Sequence, residues 1–364
     1  MKIAVYGSSL LSSYWNGAAT YYRGLFAAMA RRGHAISFFE PDAFDRQAHR
    51  DIDPPDWVRS VVYPATPDAV RAVLAEAADA DVAIKCSGVG VFDAELLRGL
   101  HGAGRPGGVH VFLDVDAPAT LAELGDAPDH PLHAVLPELD LVLTYGGGNP
   151  VVSRYREAGA RRCVPIYNAL DPATHHPAPA VERFSAELSL LANRLPDREA
   201  RIEEFFLRPA ALLPDQRFLL GGNGWHDKPL PPNVRALGHV ATAAHNSFNC
   251  SARAVLNVAR DSMAAVGFSP ATRVFEAAGA GACLLTDAWE GIELFLQPDQ
   301  EVLVARDGQD VAEHLRALTP ERARRIGEAA MRRVLAGHTY DRRAVLLERV
   351  LAEALDARKA GMPS

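Results

Sequence analysis

Short β-rich apolar runs alternating with segments of helical length constrain this chain more than any other feature. Runs at 2–6, 36–39, 82–85, 109–113 and 141–144 are spaced widely enough for crossover helices. Between the first two, Tyr21, Leu25, Ala28 and Met29 share one face of a helix over 20–32 that stops at Gly33. Thr66-Pro67 opens another helix as cap and first-turn proline. This pattern predicts a parallel sheet with helices on both faces. Pro172, Pro177 and Pro179 then make helix or strand untenable between Asn168 and Ala180, and the segment reads as an interdomain linker. The alternation restarts at 188–192, 217–220, 233–237, 255–258, 283–286 and 302–305, predicting a second α/β sheet. Thr319-Pro320-Glu321 caps a helix that Gly337 ends, and Leu347, Leu351 and Leu355 give a last helix over 341–357 an apolar side that needs a packing surface. The expected fold class is α/β, with two Rossmann-like domains at 1–172 and 173–340.

Composition narrows the function. The 364 residues suit two domains, and 48% hydrophobic with 23% charged residues is a folded, not a disordered, balance. A net charge of −7 supplies no basic field for nucleic acid or an anionic membrane surface, so any phosphate must be bound by local donors. Apolar stretches fall far short of the roughly 20 residues that span a bilayer. No integral membrane segment is expected. Cys86, Cys163, Cys250 and Cys283 form no CxxC pair, which fits neither a disulfide framework nor a zinc site and points to the cytoplasm. Oligomeric state is not encoded in any of these features.

In open parallel sheets ligands bind beyond the carboxyl ends of the strands, so the segments that follow each run are the candidate site. A loop from Gly7 to Thr20, carrying Tyr14, Trp15, Asn16 and Gly17, leads into a helix and can present N–H groups to a hydroxyl or phosphate. It lacks GxGxxG, which argues against a dinucleotide fold. Asp114 and Asp116 end the fourth run, on the same side of a strand, where one can serve as a base. The DxD spacing also fits a divalent cation, but no metal is expected. Arg194 and Arg198 follow a strand directly and supply two guanidiniums to a diphosphate. Gly221-Gly222-Asn223-Gly224-Trp225 combines exposed backbone with an aromatic face. The densest stretch begins at Phe268: Ser269-Pro270 is read as a helix start whose first-turn N–H groups, with Thr272 and Arg273, make an anion pocket. Glu276, one turn beyond Arg273, is placed to accept both hydroxyls of a ribose; an ordinary i, i+3 ion pair is the simpler alternative.

Through NRLPDREAR, GGNGW, NVRALGHV, SPATRVFEAAGAGACLLTD, WEGIE and HTYDRRA, with DVDAPAT earlier, the chain resembles the CgeB-like glycosyltransferases of GT-B fold, a group named for a spore-maturation protein. The resemblance spans most of the sequence. It implies two domains facing each other across a cleft, with the C-terminal helix, 341–364, crossing back to the first. It implies a nucleoside diphosphate sugar as co-substrate, UDP- or dTDP-linked, and no cofactor. Glu276 would hold the ribose, Ser269, Thr272 and Arg273 or Arg194 the diphosphate, and Gly238-His239-Val240 the base, with Asn223 and Trp225 nearby. Tyr14, Asn16 and Gly17 would face the acceptor, and Asp116 or Asp114 would be the base of an inverting transfer. Two positions depart from the pattern: Phe268 stands where the larger retaining GT-B group has a glutamate, and Ala192 where relatives carry glycine. The rival readings are a non-hydrolysing sugar-nucleotide epimerase and a catalytically silent sugar-nucleotide binder.

Overall fold

The computed structural model describes residues 1–14 and 16–361; Trp15 of the first loop and the end of the 341–364 segment lie outside them. The chain divides into two compact units, 1–168 with 340–364, and 169–339.

In the first unit β1 (Lys2–Tyr6), α1 (Ala18–Arg31), β2 (Ala35–Asp42), β3 (Val58–Pro64), α2 (Pro67–Glu76), β4 (Val82–Cys86) and α3 (Asp93–Gly99) lead to β5 (Val109–Asp114). Then follow α4 (Ala117–Asp126), α5 (Pro131–Val135), β6 (Leu141–Thr144), α6 (Gly148–Glu157) and β7 (Cys163–Pro165). The seven strands are ordered β3-β2-β1-β4-β5-β6-β7 and every pair is parallel. The central strands are apolar throughout because helices cover both faces: β4, β5 and β6 are buried at every residue. Thr66 caps α2 by accepting the Ala69 N–H, as its sequence indicates.

The second unit runs β8 (Ala186–Leu191), α7 (Pro196–Ile202), α8 (Arg208–Leu212), β9 (Phe218–Gly221), β10 (Val234–Gly238), α9 (His245–Ser251) and β11 (Ala252–Asn257). It continues with α10 (Asp261–Val266), α11 (Thr272–Gly279), β12 (Leu284–Asp287), β13 (Leu303–Ala305), α12 (Gly308–Ala317) and α13 (Pro320–Gly337). Its order, β10-β9-β8-β11-β12-β13, is again all parallel and repeats that of the first sheet up to its last strand. Both sheets therefore reverse direction of winding beside their first strand, at β1/β4 and at β8/β11.

Residues 171–180 are turns and extended chain. Leu170 just before them pairs in an isolated parallel bridge with Thr339, so both passages out of the second unit lie side by side on it. The last helix, α14 (Tyr340–Lys359), packs on α1 through Tyr340, Ala344, Leu347 and Leu351. A Cβ on Gly24 of α1 would lie 2.2 Å from the Tyr340 ring, so only glycine allows this approach. Arg31 pairs with Asp341 at 2.7 Å, and Arg358 reaches the fully buried Asp140 at 2.5 Å.

Candidate active site

Where winding reverses in the second sheet, the loops after β8 and β11 diverge and leave room at their carboxyl ends. The loop after β9 is built to support the loop after β8. Gly222 has φ +115 and a Cβ there would come within 2.1 Å of the Ala192 carbonyl oxygen, which is why glycine stands here. Trp225 is buried in the core of this unit and its indole N–H donates to the Ala192 carbonyl at 2.8 Å. Its ring braces the loop from within the core, the structural role a Trp at this place commonly has, and not the donor-side place that the resemblance implies. Asn223 is exposed; its N–H donates to Asn193 Oδ1 at 2.9 Å, and its carbonyl accepts the Arg194 N–H.

Arg194 is spent on structure. Its guanidinium forks onto Glu199, with both bonds at 2.8 Å, and reaches Asp227 at 2.9 Å, tying the first turn of α7 to the loop after β9. The guanidinium left for a ligand is that of Arg198. One of its nitrogens donates to the Asn193 carbonyl at 2.8 Å, while its Nε is enclosed with no acceptor. Burial lowers the Arg198 pKa, and the neighbouring Arg260 and Arg273 lower it further against the pull of Asp197 and Asp287. Such mutual repulsion among half-enclosed guanidiniums is relieved by an anion. Arg201 and Arg260 complete the positive cluster: Arg201 holds the fully buried Asp287 at 2.5 Å, and Arg260 pairs with Asp197.

The stretch beginning at Phe268 folds differently from its sequence reading. Helix α11 starts at Thr272, with the extended Ala271 before it, not at Ser269. Phe268 has φ +50, a strained conformation for a non-glycine residue, and the buried Ser269 turns its hydroxyl back to the Gly267 carbonyl at 2.9 Å. No side chain caps α11; the Val274 N–H is taken by the Ala271 carbonyl at 3.1 Å, which leaves the N–H groups of Thr272 and Arg273 ahead of it for an external acceptor, with the Thr272 and Arg273 side chains beside them.

Glu276 is buried, with Arg273 at 3.3 Å and His175 Nε2 at 3.9 Å. Nε and Nη1 of Arg273 are enclosed without a hydrogen bond, so the pair is an ionic contact with donor capacity to spare. Burial alone would raise the Glu276 pKa, but Arg273, with His175 and His245, outweighs it and holds the carboxyl below its ordinary value. Burial, with Arg273, lowers His245 to about 4, and burial likewise lowers His175. At neutral pH the pocket thus holds a carboxylate, a guanidinium and two neutral imidazoles, and Arg273 supplies the attraction. His239 lies at the exposed end of β10, at the edge of the sheet.

His245 donates to the Val240 carbonyl at 3.2 Å and titrates below its ordinary 6.5. Between pH 6.5 and about 4 the unfolded chain binds a proton that the folded chain does not, so stability falls as pH drops through that window. At about 1.36 kcal/mol per pH unit this amounts to about 3 kcal/mol. Urea unfolding of His245→Gln at pH 6.5, 5.5 and 4.5 should show that acid loss reduced by most of this amount; an unchanged pH slope would mean that His245 is not buried in its neutral form.

In the first unit β5 ends at Asp114, and Asp116 lies past it at the start of α4, so the two carboxylates do not share a strand face as expected. Asp114 is fully buried. It accepts from Ser87 Oγ at 2.6 Å, the Asp116 N–H at 2.9 Å, Thr120 Oγ1 at 3.1 Å and the Tyr155 hydroxyl. Burial raises its pKa against these bonds. Both oxygens are committed, which suits a hub rather than a base. Asp116 is only half-buried. Asn16 is likewise a brace: buried, it donates to the Ser9 and Ser12 carbonyls and accepts from Ser8 Oγ. Tyr14 is exposed and stacks on His49 with ring centroids 4.0 Å apart, and the exposed Gly17 precedes α1. Sequence reasoning missed Glu40 and Arg46. Glu40, fully buried, accepts the Leu10 N–H at 2.5 Å and the Leu11 N–H at 3.2 Å and fixes the first loop, while Arg46 donates to the Val89 carbonyl at 2.8 Å.

Among the described residues, no group of three or more His, Cys, Asp or Glu side chains is disposed to hold a metal ion, and no helix is long and apolar enough to cross a membrane.

The model of a family described as Glycosyl transferase-like matches residues 198–349, the stretch that contains Arg198, Arg273 and Glu276. Sucrose-phosphate synthase from Thermosynechococcus elongatus shares the fold with a TM-score of 0.73 at 14% identity, over 98% of this chain and 100% of that one. HepE from Anabaena, in complex with UDP and glucose, gives a TM-score of 0.68 at 14% identity, over 97% and 100% of the two chains. An alpha-glucosyltransferase in complex with UDP-glucose and DNA containing an abasic site gives 0.70 at 12% identity, over 97% and 99%. No curated protein matches the chain. The chain thus has the two-sheet GT-B architecture of these structures, and its residues 198–349 match the glycosyl transferase-like family model.

Proposed function

We propose that the protein transfers a sugar from a UDP-sugar to an acceptor nucleophile, and that 169–339 binds the donor. The observation that carries this reading is the buried, ionised Glu276 beside the under-bonded Arg273, with Arg198 and the uncapped start of α11 as further donors. A carboxylate in that state accepts two vicinal hydroxyls, and the guanidiniums and N–H groups take an adjoining diphosphate. UDP or UDP-glucose is bound by the HepE and alpha-glucosyltransferase structures of the same fold, which favours uracil over thymine as the base. The sequence motifs favour the CgeB-like branch. All four cysteines are free, which supports a reducing, cytoplasmic compartment.

In the transfer, the bond from the anomeric carbon to the diphosphate oxygen breaks, the acceptor oxygen bonds that carbon, and the acceptor proton passes to a base. Charge grows on the departing diphosphate, where Arg198, Arg273 and the α11 N-terminus stabilise it without a metal. If the reaction inverts, Asp116 is the base. UDP release from UDP-glucose, followed with and without a broad acceptor mixture, tests the reading: release that needs an acceptor supports it, and interconversion of the sugar without acceptor would make the protein an epimerase.

The two aspartates separate by readout. Asp114→Ala leaves three hydroxyls and an N–H without their acceptor and should destabilise the first unit by at least about 3 kcal/mol. Asp116→Asn should leave thermal unfolding within a degree or two and, for an inverting transfer, abolish acceptor-dependent turnover. Full turnover in Asp116→Asn would remove it as the base.

A further inference from the structure

At the carboxyl ends of the first sheet, three of the eight large apolar side chains that stand exposed among the described residues lie on loops fastened to one another. Tyr14, on the loop after β1, is 39% exposed; Phe44, after β2, is 51% exposed, and Val89, after β4, 61%. Arg46 does the fastening. Fully buried itself, it donates through one nitrogen to the Ser8 carbonyl at 3.3 Å and the Val89 carbonyl at 2.8 Å, and its guanidinium carbon lies 5.1 Å from the centre of the Phe44 ring. The Phe44 ring is thereby held beside the point where the loops after β1 and β4 part, which is where winding reverses in this sheet. His49, whose N–H donates to the Arg46 carbonyl at 3.1 Å, stacks on Tyr14 with ring planes 9° apart and ties that ring to the same turn.

Single exposed apolar side chains are ordinary on a surface, but three grouped at a strand-end crevice mark a place for a ligand. Phe44 is also held at φ +57, a region that bulky side chains avoid, and so is Asp45 after it. The charge here is one-sided. Segments 7–17, 43–57, 87–92 and 115–116 carry Asp45, Asp51, Asp53, Asp56 and Asp116 against Arg46 and Arg50, and Arg46 is spent on carbonyls. Arg23 of α1 is taken by Asp51 at 2.7 Å, and the buried Lys85 by Asp93 at 2.5 Å. A phosphate or carboxylate would meet repulsion in these surroundings, and an uncharged apolar ligand would not. The loop after β4 also adjoins the segment that carries Asp116: the Val115 N–H donates to Ser87 Oγ at 2.8 Å, and a Cβ on Gly88 would lie 3.7 Å from the Val115 side chain.

We infer that these loops receive the acceptor, and that the acceptor is an uncharged, flat aromatic alcohol, its ring on Phe44, Val89 and Tyr14 and its hydroxyl toward Asp116. Two aromatic faces and a branched aliphatic side chain suit a planar apolar body better than a polyhydroxylated one. The inference rests on the proposed transfer for its chemistry: the hydroxyl oxygen bonds the anomeric carbon, UDP departs, and the hydroxyl proton passes to a base.

Fluorescence titration of the full chain with 7-hydroxycoumarin, and UDP release from UDP-glucose with 7-hydroxycoumarin, glucose or glucose 6-phosphate as acceptor, test the inference. The coumarin should bind saturably and release at least about tenfold more UDP than either sugar at equal concentration. Phe44→Asn, whose asparagine tolerates the positive φ, should weaken coumarin binding at least about fivefold with Tm and UDP affinity unchanged. Val89→Ser should weaken it at least about threefold and decides the matter if the first variant fails to fold. Equal coumarin affinity in both variants and the parent, or more UDP released with glucose 6-phosphate than with the coumarin, would overturn the proposal. So would a dimer that Phe44→Asn dissolves in sedimentation, because the surface would then belong to a second copy of the chain. Coumarin bound through Phe44 with no UDP released for any acceptor would support this surface and overturn the transfer reading instead.

Discussion

Arg198→Met should weaken UDP binding by on the order of a hundredfold and leave uridine binding unchanged. Methionine keeps the length and apolar stem of the side chain and removes the fork whose Nε is enclosed without an acceptor. A guanidinium bound to a phosphate through charge-assisted hydrogen bonds contributes about 1.5–3 kcal/mol or more, and each 1.4 kcal/mol is tenfold in affinity. Stability should change little, because relief of the repulsion from Arg260 and Arg273 offsets the lost bond to Asn193 and the lost attraction of Asp197 and Asp287. Arg194→Met is the control. Arg194 is bonded to Glu199 and Asp227, and its loss should lower stability slightly with little direct effect on the diphosphate. If Arg194→Met lost UDP and Arg198→Met did not, the assignment of the two arginines would be reversed.

Glu276→Gln should weaken uridine and UDP binding alike, by about ten- to hundredfold. The glutamine amide keeps one acceptor, but it loses the charge that strengthens two hydroxyl bonds by about 1.5–3 kcal/mol, and it leaves Arg273 without its counter-charge. The pair of variants thus divides the ligand: Arg198 reports on the phosphates and Glu276 on the ribose. Loss confined to UDP in Glu276→Gln would place the carboxylate elsewhere than on the sugar.

The alternation of apolar runs made the two-sheet α/β architecture legible because central parallel strands are apolar on both faces. The strands it did not reveal are edge strands of the first sheet. β3 carries Arg59 and Ser60 with one side only partly covered, and β7 is three residues long and ends in Pro165. In the site, Arg273 and Glu276 were visible as an i, i+3 pair on a helix. Their surroundings were not, because His175 and His245 arrive singly from a turn and a short helix with no spacing to mark them. Ser269-Pro270 carries a helix-start signal, yet the positive φ at Phe268 turns the chain and the hydroxyl bonds backwards, which delays the helix to Thr272. An aromatic after a glycine loop can be a core residue or a stacking face. Only the burial of Trp225 and its bond to Ala192 show that it is a brace. Asp114 and Asp116 looked equivalent by alternation until β5 ended between them.

Calorimetric titration of UDP into the protein in EDTA, alongside Glu276→Gln and Arg198→Met, tests the central claim most directly. The account predicts UDP binding that survives EDTA and falls at least tenfold in each variant. UDP binding that requires magnesium, or that is equal in all three proteins, would contradict it.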